Sequence, residues 1–152
     1  LFSDNLKSFL DTKYDFLISK DAHDLSNRNS FDMRRFSMID MVWATVLVFR
    51  KTKKTKMIFE MVKYVKEYYT YFLDLYRIKD RRFRNDYAFA IALEQLNGFI
   101  TYDTMPLKLH TLPPDCKVVK IDDTGIAWQY NDQINFINGQ DVHVLNKEVA
   151  NV

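Results

Sequence analysis

Arg84-Asn85-Asp86-Tyr87-Ala88-Phe89-Ala90-Ile91-Ala92-Leu93 decides the fold, because a short polar start runs directly into the most apolar helical segment of the chain. Ala88, Phe89, Ala92, Leu93 and Leu96 recur at helical spacing, and Ala90 and Ile91 widen that stripe until most sides are apolar. Such a helix belongs in the interior. Asn85 is expected to cap it by accepting a hydrogen bond from an early backbone N–H, and Asn97-Gly98 to stop it with a left-handed residue. Asp86 then lies in the positively polarised first turn, near Arg82 and Arg84, where a carboxylate stays ionised.

Upstream, Ile58, Met61, Val62, Val65, Tyr69, Phe72 and Tyr76 trace the apolar line of a long amphipathic helix, expected to pack along a sheet. Before it, Val42-Trp43-Ala44-Thr45-Val46-Leu47-Val48-Phe49 is a continuous, largely β-branched run, the pattern of a central strand covered on both faces. Tyr14-Asp15-Phe16-Leu17-Ile18 reads as a second buried strand, preceded by a short helix that Ser3 or Asp4 can cap. The segment 20–36 is polar and irregular, and a loop of that length is often functional. Downstream of Gly98, Pro106, Pro113 and Pro114 interrupt helix formation. Short β-prone runs follow at 117–121, 126–130, 133–137 and 141–145, with Asn138-Gly139 the strongest hairpin signal. The expected fold is α/β: a mixed central sheet with packed helices and a C-terminal antiparallel β meander. One domain over 1–152 is expected, with a hinge at 105–115.

The 152 residues are 47% hydrophobic with 3 Gly and 3 Pro, which excludes a disordered chain, and 12 Phe and 9 Tyr imply an aromatic core. Cys116 is the one cysteine, which excludes an intrachain disulfide scaffold and favours a reducing, cytoplasmic setting. No apolar run approaches the ~20 residues that span a bilayer, and a net charge of +2 is too small to imply a membrane or nucleic-acid partner. The chain begins at Leu1 rather than Met, and is expected to be a fragment of a larger domain.

Three blocks together resemble the C-terminal, acceptor-side half of a GT-A type glycosyltransferase, the nucleotide-diphospho-sugar transferase fold. The first, Leu1-Phe2-Ser3-Asp4-Asn5-Leu6 through Asp15, looks like the segment that follows the metal-binding Asp-x-Asp motif, which itself is not in this sequence. The second, Trp43-Ala44-Thr45-Val46-Leu47-Val48-Phe49-Arg50, is similar to the acceptor-side strand, where small residues leave room for sugar. Asn85-Asp86-Tyr87 falls where the family has an acidic residue opening a helix beneath the sugar site. The third, Gly139-Gln140-Asp141-Val142-His143-Val144-Leu145-Asn146-Lys147, looks like the segment carrying a metal-ligating His and a Lys near the diphosphate.

The resemblance implies a nucleotide-sugar donor, a sugar or glycan acceptor, and a divalent metal, Mn or Mg. Cleavage of a sugar-diphosphate bond leaves negative charge on the phosphate, which a metal and a cation stabilise while a carboxylate orients hydroxyls. On that basis Asp86 is the catalytic candidate, Ala44, Thr45, Asn85 and Lys147 are substrate-binding candidates, and His143 is the metal ligand. Ala44-Thr45 departs from the Asn-x-Gly pattern of many retaining relatives, which leaves donor and stereochemical course open. Without the Asp-x-Asp strand the chain alone is expected to be inactive.

Other readings compete. Asp21-Ala22-His23-Asp24 offers metal-binding residue types at a spacing that matches no template. Trp43 reads as core, whereas Trp128 is a core residue or a sugar platform. Basic runs at 50–56 and 77–84 raise a nucleic-acid-binding module, against which stand the acids interspersed through 60–103. The tyrosine-rich 64–76 raises a protein-interaction module without catalysis. An exposed sheet edge would permit self-association.

Overall fold

The computed structural model describes residues 8–10, 13–20, 22–26, 38–105 and 109–145. It is a mixed α/β structure that divides into two compact units. One comprises Lys13–Asp21 and Phe31–Leu107, the other Leu1–Thr12, Ala22–Ser30 and Lys108–Val152. Each has its own hydrophobic cluster.

In the first unit, β1 (Phe16–Ser19) is the middle strand of a three-stranded mixed sheet. It pairs antiparallel with β3 (Trp43–Phe49) and parallel with β4 (Asp103–Thr104). All four residues of β1 are buried, which explains its uninterrupted Phe-Leu-Ile run. β3 was expected at the centre and lies at the edge of its sheet, with Thr45 and Phe49 exposed. A continuous β-branched run is equally compatible with a strand that packs a helix on one face and leaves the other half open, so periodicity does not rank β3 against β1.

Helix α1 (Lys53–Glu67) starts at a capping box, Thr52 Oγ1 accepting from Thr55 N–H while Thr55 Oγ1 accepts from Thr52 N–H. The expected single helix is interrupted at Tyr68, and α2 (Tyr69–Leu75) continues it. Ile58, Val65 and Phe72 of the predicted apolar line are buried, and Met61, Val62, Tyr69 and Tyr76 pack around them. The helix was expected along the sheet, but α1 packs chiefly on α3 (Asn85–Gln95), and it is Phe59 that reaches the strands. Its ring lies 6.4 Å from Phe16 and 4.9 Å from Phe49, and 5.8 Å from Phe89 of α3. Every residue of α3 from Tyr87 to Leu93 is buried, as its all-round apolar sequence requires.

α2 ends in a Schellman motif, with Ile78 N–H donating to Leu73 C=O and Arg77 N–H to Asp74 C=O. The residue in the left-handed position is Arg77, at φ 55°, where glycine is usual.

In the second unit, β2 (Ala22–Asp24), β5 (Leu109–Leu112) and β9 (Val142–Val144) form a parallel sheet in the order β2-β5-β9. The antiparallel meander is β6 (Lys117–Asp122), β7 (Gly125–Tyr130) and β8 (Gln133–Ile137). Its second turn is Asn131-Asp132, both at positive φ, the two-residue hairpin geometry that matches strand twist. Asn138-Gly139 makes no hairpin: β9 leaves the meander and pairs with β5. Gly125 is required where it stands, because at φ 154° an added Cβ would meet Ile137 C=O at 2.0 Å. The core here is Leu112, Cys116, Val118, Ile126, Trp128 and Val142.

Candidate functional site

The candidate residues of the first unit gather where α3 begins. β3 falls out of register with β1 between Ile18–Leu47 and Ser19–Trp43, so Ala44, Thr45 and Val46 have no partner in that ladder. Ala44 N–H therefore needs another acceptor, and Asp86 supplies it: Oδ1 accepts from Ala44 N–H at 2.8 Å. A contact between positions 42 residues apart thus ties the irregular part of β3 to the first turn of α3. Asp86 Oδ2 has no partner among the described residues.

Asn85 is not the cap. The N-cap is Arg84, with no side-chain capping bond, and Asn85 is the first helical residue, exposed, its side chain without a hydrogen bond among the described residues. Tyr69 instead holds the entry to the helix, its hydroxyl donating to Arg82 C=O at 3.2 Å and accepting from Arg84 N–H at 3.1 Å. Burial raises the Tyr69 hydroxyl pKa, opposed by the Arg84 backbone bond. The sequence placed Tyr69 only in the apolar line; its hydroxyl role carries no sequence signal.

The arginines expected beside Asp86 are held elsewhere. Arg82 forms a two-point pair with Asp80 through Nε at 3.1 Å and Nη2 at 3.0 Å, and Arg84 Nη1 lies 3.6 Å from the same carboxylate. Hydrogen bonds from the Arg82 side chain, then from its backbone N–H, hold Asp80 below its ordinary pKa. Arg84 also lies over the Tyr87 ring at 5.6 Å. Trp43, next to Ala44, keeps its indole N–H buried without an acceptor among the described residues. Thr45 is exposed beside it.

His143 belongs to the second unit, half-buried in β9 opposite Thr111. Lys147 lies outside the described residues, as does Asp21 of the polar loop. The other two members of that constellation have structural partners: His23 meets His110 across the β2–β5 pair with ring centroids 5.6 Å apart, and Asp24 Oδ1 accepts from Ser26 N–H and Oγ at 2.8 and 2.6 Å. Among the described residues no three His, Cys, Asp or Glu gather closely enough to hold a metal, so the described residues do not by themselves fit the implied cation. Trp128 is core. No helix among the described residues is long and apolar enough to cross a membrane.

No family model matches the chain, and no curated protein or solved structure matches it.

Proposed function

We propose that this chain is the acceptor-side portion of a sugar-nucleotide-dependent glycosyltransferase of GT-A type. One observation supports the reading above the others: two blocks that carry the resemblance, Trp43 to Arg50 and Asn85 to Tyr87, meet through the Ala44–Asp86 hydrogen bond. Two distant segments that resemble two walls of one sugar site are adjacent here.

In this reading the acceptor lies against Ala44 and Thr45, whose small side chains leave room for a sugar ring. Asp86 is oriented by Ala44 N–H through Oδ1 and offers Oδ2 to an acceptor hydroxyl. A carboxylate so placed aligns the hydroxyl and takes its proton as the oxygen attacks the anomeric carbon and the sugar–phosphate bond breaks. Asn85, exposed one residue earlier, donates to a second sugar oxygen.

Amide chemical-shift mapping with a panel of oligosaccharides tests the reading. Perturbations centred on Ala44, Thr45, Asn85 and Asp86 are expected with at least one sugar. Shifts confined to other regions, or none with any sugar, would contradict it.

A further inference from the structure

We propose that the outer face of α1 and α2 is a docking surface for an anionic lipid bilayer, on which the two helices lie without crossing. Beside the buried line of this helical pair runs a second apolar line at spacings of seven, four, three and four residues: Met57, Tyr64, Tyr68, Tyr71 and Leu75. These are 47%, 50%, 47%, 63% and 48% exposed. At 1.5 Å per residue the line is about 27 Å long. Tyr64 and Tyr68 have ring centroids 4.8 Å apart, and Tyr64 and Tyr71 each also meet the buried Phe72 ring edge to face.

Charge selects the partner. Residues 50–84 hold twelve Lys or Arg and four Asp or Glu, a net +8 in a chain whose total is +2, so the remainder is net −6. Three of those four acids are neutralised in place, Glu60 by Lys63, Asp74 by Arg81 and Asp80 by Arg82 and Arg84. Lys53 and Lys54 lie four and three residues before Met57, on its side of the helix, and have no ion-pair partner among the described residues. They and Lys56 stand at the positive end of α1, whose first turn has no acid. That placement opposes the helix macrodipole, and an anionic surface would offset the cost.

A second copy of the same face is disfavoured by like charge. A single-stranded nucleic acid needs flat rings in a concave groove. Here Tyr64 and Tyr68 are tilted 50° to one another, and Tyr64 and Tyr71 each meet the buried Phe72 edge to face, on a convex helix, with the aliphatic Met57 and Leu75 at the ends. Tyrosines between aliphatic ends, flanked by lysines, are the composition of a helix lying at a lipid interface.

Co-sedimentation with vesicles of phosphatidylcholine alone, and of phosphatidylcholine with phosphatidylserine, tests the proposal. The chain should pellet with the anionic vesicles only. Each basic residue near such a surface contributes about fivefold, so Lys53→Glu with Lys54→Glu should weaken binding at least about tenfold while leaving the thermal midpoint equal or higher. Tyr71→Ser should weaken it without unfolding, since the side chain is largely exposed. Absence of anionic-vesicle binding, undiminished binding by the charge-reversed variant, or tighter retention on oligothymidylate than on vesicles would each overturn it.

Discussion

Asp86 has the expected place at the head of its helix and a partner that the sequence does not announce. Its position at the head of an apolar helix is legible from spacing alone. Its partner is not, because nothing local links it to Ala44, and the nearby arginines satisfy themselves on Asp80, two and four residues before them. Removing the tie leaves Ala44 N–H without its acceptor, so Asp86→Ala should cost about 1–3 kcal/mol in urea unfolding, and Asp86→Asn, which keeps a side-chain carbonyl, clearly less. A second carboxylate predicts acid sensitivity. Asp122 is held well below the usual carboxylate range first by the Lys120 ammonium, then by Thr124, whose N–H donates at 2.8 Å. Because its folded pKa is depressed, the stability it contributes is present above its ordinary value of 3.8 and lost as pH falls through the folded value. In Asp122→Asn the slope of stability against pH below 3.8 should therefore flatten.

At the scale of elements, composition and period revealed the type of most segments and little about their neighbours. The buried strand at 16–19, the amphipathic helix, the interior helix and the four late strands were readable as segments, though the last of them pairs with β5 rather than with the meander. The missed strands at 22–24, 103–104 and 109–112 are two to four residues long, too short to show a period. The end of α2 was also hidden, since Arg77 occupies the left-handed position with no glycine to mark it. Arg77→Gly should raise stability by up to about 1 kcal/mol, seen as a higher thermal midpoint. Tyr69→Phe removes the two hydrogen bonds that join α2 to the entry of α3 and should lower stability by about 1 kcal/mol. Since the Tyr69 pKa is raised in the folded state, its contribution is intact below pH 10.0 and lost as pH rises through the folded value. Alkaline unfolding should accordingly be less steep in the phenylalanine variant.

For the molecule as a whole, the α/β class was legible and the partition of its core was not. Two separate hydrophobic clusters, one helical and aromatic, one β-rich around Trp128, arise from segments that alternate along the chain, and sequence order conceals such interleaving. Of the candidate site residues, Ala44 and Asp86 meet through a hydrogen bond that no local pattern announces, with Thr45 and Asn85 next to them in the chain, while His143 belongs to the second unit and Lys147 lies outside the described residues. Asn85 gives the most direct test of the glycosyltransferase reading, because it is exposed and its side chain makes no hydrogen bond among the described residues. Calorimetric titration of the oligosaccharide that perturbs Ala44 and Thr45 most should be compared between wild type and Asn85→Ala. The reading predicts at least about a fivefold loss of affinity, with stability unchanged to within about 0.5 kcal/mol. Equal affinity in a variant of unchanged stability, or no sugar binding by the wild type, would contradict it.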